Sequence, residues 1–271
     1  MIGVAFYGRL GNQIFQFYYY LYLKSINKNK WVFMPNPTDA YLFKYFDLGP
    51  DNFIGTKLYW IFARIAAKIF KFKDVYVQNF HLPKAPAEIA GNTIFHGYFQ
   101  TDWYINNTPN PFIIKLKEKY TKRFDQEFGA IFNNEKTIVV HIRRTDYLTY
   151  GKRDISLPIT YFKKCLETID DLDSYRIFFC SDDMPFVKNA FPDKPNYIFS
   201  ENDEITDFQI LMNADIAIIS NSSFAWWATY LSKKNNKVIA PKNWLGFRIG
   251  KEHPKCIMTK KFNWHAVLDE N

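Results

Sequence analysis

The densest run of chemically capable side chains is His141-Ile142-Arg143-Arg144-Thr145-Asp146-Tyr147. It ends Thr137–Ile142, a β-branched run of the kind that forms a buried parallel strand. In open α/β sheets, ligands sit beyond the carboxyl ends of the strands. A strand that delivers His, two Arg and Asp at its tip therefore reads as a site for an anion, because a guanidinium grips phosphate bidentately and stays charged. Asp146 reads two ways, as a base for a substrate proton or as the partner of one arginine. The plainer alternative for the whole cluster is a surface Arg–Asp ion pair.

Three other stretches carry similar chemistry. Ser220-Asn221-Ser222-Ser223 joins an apolar strand to an aromatic helix, so its serines can cap that helix or, with its dipole, ligate phosphate oxygens. Gly8-Arg9-Leu10-Gly11-Asn12-Gln13 is a glycine turn between a strand and a helix, and such a turn offers backbone N–H groups to an anion. It matches neither GxGxxG nor a P-loop, and an ordinary strand–helix turn is the alternative. Ser181-Asp182-Asp183 closes a third strand. Asp171-Leu172-Asp173 is formally a DxD, but it precedes a strand rather than following one and reads as a solvated loop.

The elements that must position these tips are most regular in the second half. Strands are expected at 137–142, 176–180, 197–199, 215–219 and 237–240, with helices at 158–169, 184–190, 204–213 and 222–231. Repeated βα units imply a parallel sheet covered on both faces. In the first half, Ile2–Tyr7 and Asn92–Phe99 read as strands, 14–24 as an aromatic core helix, 31–55 as loops and short elements, and 111–128 as a charged helix leading out of the domain. The expected division is residues 1–130 and 131–271. Residues 55–73 read as a basic amphipathic helix. Its Leu58, Ile61, Phe62, Ile65, Ile69 and Phe72 either pack on the core or lie on an anionic membrane surface.

The bulk numbers narrow the class. A chain of 271 residues that is 48% hydrophobic and 19% aromatic is globular. A net charge of +8 favours acidic partners. The three cysteines, Cys165, Cys180 and Cys256, form no CxxC pair, which disfavours a zinc site or disulfide framework and suits a reducing cytoplasm. No signal peptide or membrane span is expected. Nucleic-acid binding is the different-class alternative, disfavoured because the basic and aromatic residues form no known binding motif. A non-catalytic glycan-binding module would not need an Arg-Arg grip.

An arginine-lined anion pocket with no apparent metal-ligand cluster suits a reaction whose leaving group is a nucleoside diphosphate. Arginine would neutralise charge developing on that group, and a carboxylate or His would take the proton of the attacking hydroxyl. That describes a metal-independent, inverting sugar transfer.

At these residues the sequence resembles the α-1,2-fucosyltransferases, glycosyltransferase family 11. The shared blocks are Gly-x-x-Gly-Asn-Gln at Gly8–Gln13, His-x-Arg-Arg-x-Asp-Tyr at His141–Tyr147 and Ser-Asn-Ser-Ser-Phe-x-Trp-Trp at Ser220–Trp227, with Phe99-Gln100-Thr101 as a further match. The resemblance implies an α/β fold of GT-B type, two facing Rossmann-like domains with parallel sheets. It implies no cofactor beyond the donor substrate GDP-fucose, and transfer to the 2-hydroxyl of a galactose-type acceptor, on a surface glycan at the inner membrane face. Another GDP- or UDP-sugar transferase of the same fold is the alternative. By the same resemblance Arg143 would contact the diphosphate, helped by Ser222 and Ser223; Arg144 and the glycine-turn residues Gly8, Arg9, Gly11, Asn12 and Gln13 are the further candidates for donor binding. His141 and Asp215 would contact guanine. The base would be Asp146 or Asp154.

Overall fold

A computed structural model describes residues 1–78, 80–86 and 89–268. The chain divides into two compact units, Met1–Lys117 with His253–Ile257, and Glu118–Glu252 with Met258 onward.

The first unit contains β1 (Ile2–Val4), α1 (Leu10–Ile26), β2 (Val32–Phe33), α2 (Leu42–Tyr45), β3 (Phe46–Asp47), α3 (Lys57–Ile69), β4 (Lys73–Tyr76), β5 (Thr93–His96), α4 (Trp103–Asn106) and β6 (Lys115–Leu116). Its main sheet is parallel, in the order β2-β1-β5-β4. The aromatic run of α1 is buried almost all round, as expected of a core helix. Tyr19 stacks on Phe99 at 3.8 Å between ring centroids and meets Tyr104 edge-on. Four short strands of this unit, β2, β3, β4 and β6, were not legible individually in the sequence. β2 and β3 lie in residues 31–55, read as loops and short elements, β6 lies in the stretch read as a charged helix, and β4 begins at Lys73, the last residue of the segment read as a basic helix. That helix stops at Ile69, and the chain turns extended at Phe70.

The second unit contains α5 (Glu118–Asn134), β7 (Lys136–Ile142), α6 (Ile159–Glu167), β8 (Tyr175–Ser181), α7 (Met184–Ala190), β9 (Tyr197–Phe199), α8 (Glu204–Asn213), β10 (Ile216–Ile219), α9 (Ser223–Tyr230), β11 (Lys237–Pro241) and β12 (Asn263–His265). The six-stranded sheet runs β12-β11-β10-β7-β8-β9, every neighbour parallel. In chain order that is the doubly wound 3-2-1-4-5-6 arrangement, and its order reverses between β7 and β10. Ile138, Val140 and Ile142 join a core with Phe162 and Leu166 of α6 and Val187 of α7. The alternate residues face α5, α8 and α9: Phe178 stacks on Phe132 at 5.1 Å, and His141 faces Phe224 at 6.0 Å. Cover on both faces explains why these strands read as unbroken apolar runs.

The unit boundary falls before α5, not at the expected 130/131. The helix belongs to the second unit because Phe124 and Phe132 bury against that sheet's face, while Arg123 pairs with Asp203 at 2.8 Å. The basic helix also departs from the core-packing alternative. Only Tyr59, Ala63 and Ala66 of α3 are buried, and its large aliphatic side chains face solvent.

Candidate active site

In the second unit the tips of β7 and β10 stand side by side at the point where strand order reverses. There the flanking crossover connections leave in opposite directions and open a crevice. The register pairs Ile219 with His141, and the Ser220 amide donates to the His141 carbonyl at 3.1 Å. The two sequence blocks, far apart in the chain, therefore form one edge.

Arg143 sits just past the end of β7 with only 14% of its side chain exposed. Its Nη2 donates to Asp146 Oδ1 at 2.6 Å, and its Nη1 lies 3.0 Å from Asp182 Oδ2. Asp182 organises the whole turn. Its carboxylate accepts from the amides of Arg144 at 2.8 Å and Thr145 at 3.2 Å, and from the Thr145 hydroxyl. Burial alone would raise this acid, but the Thr145 bond and the Arg143 charge outweigh it and hold the carboxyl below its usual range. Arg144 points elsewhere, with Nε on Asp183 Oδ2 at 3.1 Å and its guanidinium 3.7 Å over the Phe186 ring. Asp182 and Asp183 were legible only as an acidic strand end; their role depends on β7 and β8 being neighbours, with Ile142 opposite Ser181.

His141 is buried, and its Nδ1 lies 2.8 Å from Ser220 Oγ. Burial, reinforced by the Arg143 charge, lowers its pKa from 6.5 to about 4, so the ring is neutral near pH 7. Ser222 is the N-cap of α9 but gives it no side-chain cap, and Ser223 opens the helix. Asn221 donates to the Ile155 carbonyl at 2.8 Å, and its own carbonyl accepts from the Tyr147 hydroxyl at 3.1 Å. Its buried Oδ1 has no hydrogen-bond partner among the described residues. Asp154 lies in the exposed loop after β7, its Oδ1 accepting from the amide and hydroxyl of Ser156 at 2.8 and 2.6 Å.

A second, partly buried acid was not foreseen. Asp207 of α8 accepts from Ser200 Oγ and from the Cys180 thiol, and burial pushes its pKa up to about 6. Cys180 is the register partner of His141, which places this acid one strand away at the same level of the sheet. An acid in the first turns of an apolar helix was the available signal.

Two expected ligands are engaged in hydrogen bonds within their own units. Asp215 precedes β10, at the amino end of the sheet, with the buried strand between it and the tips. Its Oδ2 accepts from the Thr137 amide at 2.8 Å and hydroxyl at 2.9 Å, and its Oδ1 pairs with Lys234 at 3.1 Å. It ties two strand starts together and does not share the crevice. Gln13 is fully buried in the first unit. It donates to the carbonyls of Gly8 at 3.0 Å and Asp39 at 2.8 Å and accepts from the Leu42 amide at 3.1 Å. Both its donors and its carbonyl serve the loops, which it braces.

The rest of the glycine turn lies at the first unit's own order reversal, between β1 and β5. Gly8 has φ +78°, and a Cβ there would come within 2.9 Å of Asn12 Nδ2, so the turn requires glycine. Asn12 Oδ1 accepts from Gln100 at 2.8 Å, Gly11 is buried in the first turn of α1, and Arg9 is exposed at its N-cap. Among the described residues no three His, Cys, Asp or Glu converge as a metal-ligand set.

Two Rossmann-like units, one bearing an arginine-tipped switch point, define a glycosyltransferase of GT-B type. The fold is similar to solved structures: NodZ α-1,6-fucosyltransferase co-crystallised with GDP (13% identity, TM-score 0.52, covering 89% of this chain and 95% of that one) and POFUT1 in complex with GDP (13% identity, TM-score 0.50, covering 88% and 97%). In sequence, residues 1–267 match glycosyl transferase family 11, and the chain belongs to that family. Two Escherichia coli proteins are similar. The O-antigen biosynthesis glycosyltransferase WbnK is 32% identical over 124 residues, 42% of this chain and 41% of that protein. An alpha-1,2-colitosyltransferase is 27% identical over 272 residues, 88% of this chain and 90% of that one.

Proposed function

We propose that this glycosyltransferase moves L-fucose from GDP-fucose to the 2-hydroxyl of a terminal galactose-type residue of a surface glycan, with inversion and without a metal ion. The observation that carries the reading is Arg143, largely buried at the switch point and aligned by two carboxylates. A guanidinium fixed before the reaction stabilises a diphosphate leaving group without reorganising when charge develops. The solved neighbours support a GDP-bearing donor: NodZ was co-crystallised with GDP and POFUT1 was solved with it. The O-antigen relative supports a surface-glycan acceptor, and the colitosyl relative supports an α-1,2 linkage.

In this reading the anomeric C–O bond breaks, and its electron pair leaves with the diphosphate toward Arg143. Ser222, Ser223 and the start of α9 hold the other phosphate oxygens, while Arg144 steadies the turn from Asp183. The acceptor oxygen attacks from the opposite face, which inverts the centre, and its proton passes to a carboxylate. Asp146 suits that step because diphosphate binding competes for Arg143 and frees its oxygen; Asp154, in the loop after β7, is the other candidate base. Asn221 Oδ1, buried and unmet, offers an acceptor for a donor group of the bound nucleotide sugar.

A second reading is specifically favoured by the colitosyl relative, because colitose is fucose without its 3-hydroxyl. The purified enzyme should be offered GDP-fucose, GDP-colitose, GDP-mannose and UDP-galactose with a terminal β-galactoside, and the product linkage read by NMR. A fucosyl α-1,2 product confirms the proposal. A preference for GDP-colitose moves the donor to the second reading, and transfer from mannose or galactose donors alone overturns both.

A further inference from the structure

The surface of α3 is unlike the other helices of its unit. A helix advances about 100° per residue, so Leu58, Ile61, Phe62, Ile65 and Ile69 fall within one arc of about 100°. In a soluble amphipathic helix that arc faces the core. Here it faces water: Leu58 is 79% exposed, Ile61 58%, Ile65 49% and Ile69 69%. The core instead receives the next arc round, Tyr59, Ala63 and Ala66, with Tyr59 donating between strands to the Met34 carbonyl and accepting from its amide at 2.8 Å. Thr56 caps the helix through the Tyr59 amide at 3.3 Å, so the element is properly formed and not a frayed end. The exposed apolar patch is on the order of 500 Å², the size at which a monomer's largest patch is commonly functional.

Charge decides what covers it. Lys57, Arg64 and Lys68 line the other flank of the apolar arc, and Lys71 and Lys73 follow directly, with no acidic residue from Lys57 to Lys73. A second copy of this face would bring these cations together with nothing to neutralise them. An anionic lipid surface neutralises them and accepts the aliphatic side chains between its headgroups. We propose that α3 is a membrane-surface anchor that lies in the headgroup layer of an anionic bilayer. Phe70, 47% exposed just beyond the helix, extends the apolar edge in the same direction along the chain. The proposal holds whatever sugar the enzyme transfers.

Sedimentation of the full-length protein with vesicles tests it. Binding to vesicles of phosphatidylglycerol and phosphatidylcholine should exceed binding to phosphatidylcholine alone by at least tenfold and weaken in salt. The variant Ile61→Ser/Ile65→Ser/Ile69→Ser should lose binding to both at least tenfold. Arg64→Gln/Lys68→Gln/Lys71→Gln should lose about a hundredfold on the anionic vesicles, at about fivefold per cation near the surface. The neutralised variant retains every apolar residue, so it carries the test even where the serine variant fails to fold by far-UV circular dichroism. Absence of wild-type binding to anionic vesicles, or unchanged binding by the neutralised variant, overturns the proposal. A wild-type dimer in solution that the serine substitutions dissociate overturns it in favour of a second copy.

Discussion

Removing the Asp182 carboxylate should disable the site without touching any group that meets the substrate. Asp182 holds Arg143 by charge and fixes the turn through the amides of Arg144 and Thr145. Charge-assisted hydrogen bonds contribute about 1.5–3 kcal/mol each, but water can re-enter this half-open turn and recover part of that. Asp182→Ala should therefore cost about 2–3 kcal/mol of stability, which in a unit of this size lowers Tm by about 5–10 °C. The chemical step should suffer more, because Arg143 must reorganise as charge develops: kcat should fall about a hundredfold. Asp182→Asn retains an oxygen for one of the two amides, which bind different carboxylate oxygens, and loses the negative charge that faces Arg143. It should keep most of the Tm and lose about tenfold in kcat. Steady-state release of GDP, with kcat separated from the donor KM, and thermal unfolding of both variants supply the numbers. Wild-type kcat in Asp182→Ala would refute the idea that this acid pre-positions the arginine.

Two groups, one buried and one partly buried, give opposing pH dependences. His141 in the folded chain titrates near about 4, below its ordinary 6.5. The unfolded chain binds more protons between those values, so stability is full above 6.5 and is lost, by about 3 kcal/mol, as pH falls toward 4. Asp207 titrates near about 6, above its ordinary 3.8, so its contribution is full below 3.8 and is lost as pH rises through 6. The two slopes oppose each other between pH 4 and 6. Relative to wild type, Asp207→Asn should gain stability over that window at up to about 1.4 kcal/mol per pH unit; denaturant unfolding at several pH values that finds a constant difference contradicts the raised pKa of this acid. Asp215→Ala should destabilise by about 1 kcal/mol, since the Lys234 pair is partly exposed, and leave the donor KM unchanged; a tenfold rise in that KM would return Asp215 to the binding site.

The second unit was largely legible because its physics is local. Strands covered on both faces read as apolar runs, helices start at Asp183, Asp203 and Ser222, and the order of blocks predicts a parallel sheet. The crevice was legible too, since strand polarity puts His141–Asp146 and Ser220–Ser223 at one edge. What escaped depends on pairing across the sheet. Asp182 matters only because β8 lies beside β7, and Asp207 only because Cys180 and Ser200 lie above it. Gln13 had the right chemistry for a ligand, but its direction is set by the loop at Asp39–Leu42, which has no periodic pattern. β4 escaped because Lys73–Tyr76 is short, with Val75 its one aliphatic residue, and lies at the edge of its sheet, paired with β5 alone among the described strands. For Asp215, the analogy with relatives conflicted with strand polarity, and polarity gave the correct location.

The central claim is that Arg143 takes the charge of a departing GDP. The direct test is GDP release from GDP-fucose in EDTA with a terminal β-galactoside, comparing wild type with Arg143→Ala and monitoring fold by Tm. Acceptor-dependent release that survives EDTA and falls about a thousandfold in the variant, with Tm within a few degrees of wild type, is the predicted result. Release that stops in EDTA, or that continues at the wild-type rate without the guanidinium, would contradict it.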